Sequence, residues 1–210
     1  MEVFMETIVF FDLNNTLLDD MNAWHSAVRA IFSAYGIRPP TIAEYFQTLH
    51  QVGSNLKVYE AYGIRGTIDD LNAIYDPAYI KNISQITLFP NATEILQYFT
   101  ESKVEIGLIT AQKKELALPL LKKFGIDSYF AFMDFNINGK TKSIVRILKK
   151  TNTQPNKCYF VGDAPSDIKD ADNAGVRTIA FLNGRIPERL VMIAQPDYCI
   201  RDLSAIATII

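Results

Sequence analysis

The stretch "TIVFFDLNNTLLDD", residues 7–20, decides how the chain is read. Its first five residues, Thr7–Phe11, are β-prone and mostly apolar, and they run straight into Asp12. A strand that ends on a carboxylate sets that acid at one edge of a sheet. Short β-branched or aromatic runs recur at Val104–Ile109, Phe130–Phe135, Cys158–Val161, Arg177–Phe181 and Asp197–Ile200. Between the later runs, apolar residues fall at helical spacing over Ala92–Phe99, Glu115–Phe124 and Ser143–Leu148, and Ile168–Ala174 reads as a short helix stopped by Gly175. Strand alternating with helix predicts an α/β fold, a parallel sheet with helices on both faces.

The first connection is far longer than the others. Residues 12–103 lie between the first strand and the second, whereas a crossover helix needs only about a dozen residues. Within that gap "WHSAVRAIFSAYGI", "TIAEYFQTLHQV", "NLKVYEAYGI" and "DDLNAIYDPAYI" each carry apolar and aromatic residues at helical spacing, with Gly or Pro between them. The pattern predicts an all-helical insertion of about four helices over residues 18–87, set into a core of residues 1–17 and 88–210. "LFPN" at Leu88–Asn91 marks the return to the core.

Composition narrows the function classes. Apolar residues are 49% and charged residues 21% of the 210, an ordinary soluble balance. The net charge of −2 comes with no basic block, so neither nucleic acid nor a membrane surface is an expected partner. No apolar run approaches the roughly 20 residues that span a bilayer, and Glu2 and Glu6 do not fit a signal peptide. A cytoplasmic protein, monomer or homodimer, is expected. Cys158 and Cys199 both sit in apolar runs and read as two buried free thiols.

In an open parallel sheet, ligands bind beyond the carboxyl ends of the strands. Asp12, Thr110 and Asp163 each follow a strand, so they converge at that edge, where the helical insertion also leaves the chain. A lid over an active site is the natural expectation. "VGDAPSD" adds Asp167 four residues after Asp163, at the start of a helix. Asp167 alone is explained as a helix cap, but Asp163 is not, because a bare acid there would repel Asp12. Several carboxylates at one strand edge make a hard oxygen site of the kind Mg²⁺ takes, together with water and substrate phosphate. Thr110 offers a hydroxyl and a backbone N–H to a phosphoryl oxygen, or serves as a helix cap. Lys140 and Lys142, in "NGKTKS", are each either an anion partner or an exposed lysine.

With these residues in order, the chain resembles the haloacid dehalogenase superfamily, in its phosphatase branch with a helical cap after the first motif. "FFDLNNTLL" matches the family's strand followed by D-x-D-x-T-L, "IGLIT" its strand ending in Thr or Ser, and "VGDAPSD" its G-D-x-x-x-D. Lys140 lies 23 residues before Asp163, the family spacing, and is preferred to Lys142 on that ground. "LFPNATEIL" and "DNAGVRTIAF" resemble two weaker family segments. The resemblance implies a Rossmann-like core. It implies hydrolysis of a small phosphorylated metabolite, with Asp12 as nucleophile forming an aspartyl phosphate. Mg²⁺ would be held by Asp12, Asp163, Asp167 and the main-chain carbonyl of Asn14. Thr110, Ala111 and Lys140 would bind the remaining phosphoryl oxygens, and the cap would exclude water and choose the substrate.

One position departs from the family. Its phosphatases carry at position 14 an Asp that serves as general acid and base; here it is Asn14, which cannot transfer a proton at neutral pH. Losing such a group costs about 10²–10⁴-fold in rate. Three explanations fit: a weak or specialised phosphatase whose leaving group needs little protonation, such as an acyl phosphate or pyrophosphate; an engineered Asp→Asn trap; or a branch whose chemistry dispenses with the second acid. Two other functions compete. Lys57, in the insertion, would be the Schiff-base lysine of a phosphonoacetaldehyde-hydrolase-like C–P hydrolase, although its spacing from Asp12 fits poorly. A non-enzymatic protein that binds a phosphorylated ligand would keep the metal site without turnover. Trp24 and His25 fall near the cap entrance, where some relatives place a histidine that touches substrate; helix packing explains Trp24, and a surface position explains His25 as well as a substrate contact does.

Overall fold

The computed structural model describes residues 7–210, so the signal-peptide reading of the first residues lies outside it. A six-stranded parallel sheet runs in the order β5-β4-β1-β6-β7-β8. Its strands are β1 (Ile8–Phe11), β4 (Glu105–Ile109), β5 (Phe132–Asp134), β6 (Cys158–Gly162), β7 (Arg177–Phe181) and β8 (Tyr198–Ile200). β1 sits at the centre, with Phe10 in register with Gly107 on one side and Phe160 on the other. That central place explains why all four of its residues are fully buried: the strand is covered on both faces and paired on both edges.

Successive side chains point to opposite faces of a strand, and the two faces carry separate apolar clusters. Val9 and Phe11 join one with Leu96 and Phe99 of α5 (Ala92–Glu101) and Leu116, Leu120 and Leu121 of α6 (Lys114–Lys123). Ile8 and Phe10 join the other with Ile144, Ile147 and Leu148 of α7 (Thr141–Thr151) and Ala171 of α8 (Pro165–Asn173). The expected parallel sheet with helices on both faces is therefore the observed architecture.

Between β1 and β4 the chain forms α1 (Met21–Ala34), α2 (Ile42–Val52), α3 (Asn55–Ala61) and α4 (Ile68–Lys81). Thr41 and Thr67 open α2 and α4 with reciprocal capping boxes to Glu44 and Asp70. These helices bury an apolar cluster of their own, centred on Phe32, Tyr45, Val58 and Leu71. Trp24 packs edge-on against Tyr45 and stacks on Phe46. His25 stacks on Trp24 and hydrogen-bonds the Pro40 carbonyl at 3.1 Å, so both residues serve packing within the insertion.

Two features differ from the sequence expectation. The chain leaves and re-enters the sheet domain through a short antiparallel ribbon, β2 (Leu18–Asp19) against β3 (Thr87–Leu88). Two-residue strands carry too little periodicity to be read from sequence. Cys158 is buried as expected, but Cys199 is exposed: β8 is an edge strand, paired only with β7, and its middle residue faces out.

Gly107 has a packing reason. A Cβ there would sit 2.6 Å from the ring of Phe10 on the neighbouring central strand. Gly107→Ala is expected to destabilise the fold by about 1–3 kcal/mol through overpacking. Urea unfolding measures this, and an unchanged midpoint would contradict the close approach.

Candidate active site

β1 delivers Asp12 directly: its backbone N–H continues the ladder to the Val161 carbonyl at 2.9 Å. On the adjacent strand, β6 ends at Gly162 and hands on Asp163. α8 then starts at Pro165, which puts Asp167 in its first turn. One ligand oxygen from each of Asp12, Asp163 and Asp167 lies within 4.8 Å of the others. All three residues are buried. Asp167 is also a helix-start residue, accepting the Ala164 N–H at 3.3 Å, so the capping and site readings both hold.

Gly162 is what lets Asp167 approach. A Cβ at Gly162 would meet the Asp167 side chain at 2.6 Å. The glycine ahead of Asp163 thus makes room for the second carboxylate of the pair.

Lys140 is the cation of the cluster. Its Nζ lies 2.5 Å from Asp12 Oδ1 and 2.7 Å from Asp167 Oδ1, and it is 6% exposed. The ammonium also sits 5.1 Å from the centre of the Phe160 ring, a cation–π contact. Its loop is fixed from α8, where Asp170 accepts the Lys140 N–H at 2.7 Å and the Thr141 hydroxyl at 3.1 Å. Lys142 is exposed. The choice between the two lysines is therefore decided by geometry as well as by spacing.

The electrostatics follow from burial. Three buried acids face one buried lysine. Burial pushes the Asp12 carboxyl up to about 7, against the pull of Lys140 and with the push of Asp167. Burial, then the charges of Asp167 and Asp12, holds Asp163 well above the usual carboxylate range. Burial works against the Lys140 ammonium, but Asp12 and Asp167 outweigh it and hold its pKa above the ordinary lysine value. Such a set of hard oxygen donors, three acids to one lysine, fits a divalent cation, whose charge would favour the ionised acids.

Thr110 follows β4 and is buried. Its hydroxyl donates to Asn14 Oδ1 at 3.4 Å and accepts the Gln112 N–H at 3.1 Å. Its backbone N–H is not available to a phosphoryl oxygen as expected, because it donates to the Asp134 carbonyl at 2.9 Å and extends the sheet. Ala111 comes next and is exposed. Lys57 is exposed on α3, where its backbone N–H donates to the cap residue Ser54.

Sequence reasoning missed Asp20. It is 1% exposed, and its carboxylate accepts from Asn14 Nδ2 at 2.5 Å, from the Tyr79 hydroxyl of α4 at 2.8 Å and from the Asn15 N–H at 3.1 Å. The signal was an acid six residues after an amide, in the same loop as the nucleophile. Asn15 itself holds the left-handed conformation, φ 57°, that turns this loop.

The profile of the haloacid dehalogenase-like hydrolases matches residues 9–181. The chain belongs to that family. It is accordingly an enzyme of the hydrolase class. Among its relatives, a phosphoglycolate phosphatase of Pseudomonas putida is 26% identical over 217 residues, which cover 95% of this chain and 78% of that protein. A protein named as a putative pyrophosphatase from Caldanaerobacter subterraneus is 27% identical, with 97% and 94% covered. A haloacid dehalogenase-like hydrolase structure from Streptococcus pneumoniae superposes with a TM-score of 0.80 at 24% identity, covering 97% and 98% of the two chains.

Gly162→Ala is expected to push Asp167 out of the cluster and to weaken divalent-metal binding by about 10–100-fold. Calorimetric titration with Mg²⁺ checks this. Unchanged affinity would mean Asp167 is not part of the metal site.

Proposed function

We propose that this chain is a Mg²⁺-dependent phosphatase acting on a small phosphorylated metabolite through an aspartyl phosphate on Asp12. The observation that carries the reading is the cluster of Asp12, Asp163 and Asp167 with ligand oxygens within 4.8 Å of one another and Lys140 between two of them. The phosphoglycolate phosphatase and pyrophosphatase names of its relatives support a phosphorylated substrate. Among the described residues no helix is long and apolar enough to cross a membrane.

Asp12, Asp163, Asp167 and the main-chain carbonyl of Asn14 would hold the Mg²⁺ ion. When bound, it supplies positive charge that draws the phosphoryl group to Asp12 and offsets charge in the transition state. Lys140 steadies the Asp12 carboxylate and presents a second positive charge to the phosphoryl oxygens. The Thr110 hydroxyl, whose contact to Asn14 Oδ1 is a long 3.4 Å, would turn to a further oxygen when substrate is bound. A carboxylate oxygen of Asp12 attacks phosphorus and the bond to the leaving oxygen breaks; water then releases phosphate and restores Asp12. The helical insertion acts as the cap. It is tied to the core by Asn14 Nδ2 on the Tyr79 hydroxyl at 3.3 Å, by Lys113 to Asp76 of α4 at 2.6 Å, by Arg189 to Gln47 at 2.7 Å, and by Arg185 on Asp19 at the ribbon. Those contacts suit an element that closes over substrate and opens for product.

C–P cleavage through Lys57 is the weaker reading, because that lysine is exposed on a helix surface and no buried environment activates it. p-Nitrophenyl phosphate is expected to be hydrolysed in Mg²⁺ and not in EDTA. Asp12→Asn is expected to abolish turnover while leaving the thermal midpoint within a few degrees. Hydrolysis unaffected by EDTA, or surviving Asp12→Asn, would refute the mechanism.

A further inference from the structure

The side chain of Asn14 is held in one orientation. Its Nδ2 donates to Asp20 Oδ2 at 2.5 Å and to the Tyr79 hydroxyl at 3.3 Å, so both amide hydrogens face away from Thr110. Tyr79 accepts that bond while donating its own proton to Asp20 at 2.8 Å. Asn14 Oδ1 is left on the other side, receiving the Thr110 hydroxyl at 3.4 Å. The carboxylate at position 20 has acceptors only, so an amide turned the other way would set oxygen against oxygen. The Asn15 N–H, at 3.1 Å from Asp20 Oδ1, fixes the carboxylate in turn.

The consequence is chemical. The amide presents only an acceptor toward Thr110, so it can neither protonate a leaving oxygen nor donate a hydrogen bond to it. The other buried groups are engaged: Lys140 with Asp12 and Asp167, and Thr16 on Asp163 at 3.4 Å. An alkoxide leaving without a proton is a poor leaving group; a carboxylate or phosphate is a good one.

We infer that Asp20 is the positioning residue that locks Asn14 with its oxygen toward Thr110, and that the enzyme is thereby selective for phosphoryl groups on oxyacids, that is acyl phosphates and phosphoanhydrides. The inference rests on the phosphatase reading above. An Asp12 oxygen bonds to phosphorus and the bridging P–O bond breaks. Its electron pair leaves on a carboxylate or phosphate oxygen that needs no proton. A water oxygen then bonds to phosphorus, the P–O bond to Asp12 breaks with its pair returning to the carboxylate, and both water protons depart on the released phosphate.

The test compares acetyl phosphate, pyrophosphate and p-nitrophenyl phosphate with two alkyl phosphates, phosphoglycolate and glycerol 3-phosphate, all in Mg²⁺. The expected kcat/KM favours the first group by about 10²–10⁴-fold, the size of a missing general acid. Alkyl phosphates within about tenfold of acetyl phosphate would overturn the inference and leave the phosphatase reading standing. No hydrolysis of any of the five would overturn that reading itself. Asp20→Ala is expected to free the amide and narrow the ratio between the groups; an equal loss on every substrate would mean a structural role only. Asn14→Asp alone sets two carboxylates against each other. The exchange Asn14→Asp with Asp20→Asn restores a donor between them and is expected to raise alkyl phosphate turnover by about a hundredfold or more. Equal gains from the single and the double exchange would refute the coupling.

Discussion

The arrangement depends on Lys140 lying between Asp12 and Asp167. Burying several carboxylates together is costly, because each loses its hydration and repels the others. A single ammonium at 2.5 and 2.7 Å makes the cluster tolerable without neutralising it. Much of the local structure serves that contact. Asp170 fixes the lysine's loop, Phe160 lies under its charge, and Gly162 leaves space for Asp167. The excess of acids over lysine is the physical basis for proposing a divalent cation, and Asp12 stands where that cation and the lysine would both act on it.

The sheet puts these groups together cheaply. Asp12 and Asp163 need only follow adjacent parallel strands, β1 and β6, whose register is fixed by four consecutive pairs from Ile8 to Phe11. Thr110 follows the strand on the other side of β1. Central strands covered on both faces move little, so the reacting groups stand on the most rigid part of the molecule. α4 reaches the same edge through the Tyr79 hydroxyl, which meets Asn14 Nδ2 at 3.3 Å and Asp20 at 2.8 Å.

The parts legible in sequence are those with local signatures. Asp12, Thr110, Asp163 and Asp167 each close a strand or open a helix, and Lys140 sits at a helix start, so short patterns revealed them. The helices between residues 18 and 87 announced themselves by apolar spacing and by the Gly and Pro between them. What was hidden depends on contacts between distant segments. Asp20 has no local signature, and its place in the site is set by Tyr79, 59 residues away. The backbone N–H of Thr110 reads in sequence as a donor to a phosphoryl oxygen or part of a helix cap, whereas the neighbouring strand claims it. Cys199 looked buried because its run is apolar, but an edge strand leaves alternate residues exposed. Asn14, the departure from the family pattern, leaves three explanations open in sequence; in the structure its amide donates to both Asp20 and Tyr79.

The most direct measurement is acid quenching within milliseconds of mixing the enzyme with acetyl phosphate and Mg²⁺, followed by peptide mass spectrometry. The account predicts one phosphoryl group on the peptide carrying Asp12, absent in EDTA and absent from Asp12→Asn. Turnover with no phosphorylated Asp12 at any quench time, or a phosphoryl group on another residue, would contradict it.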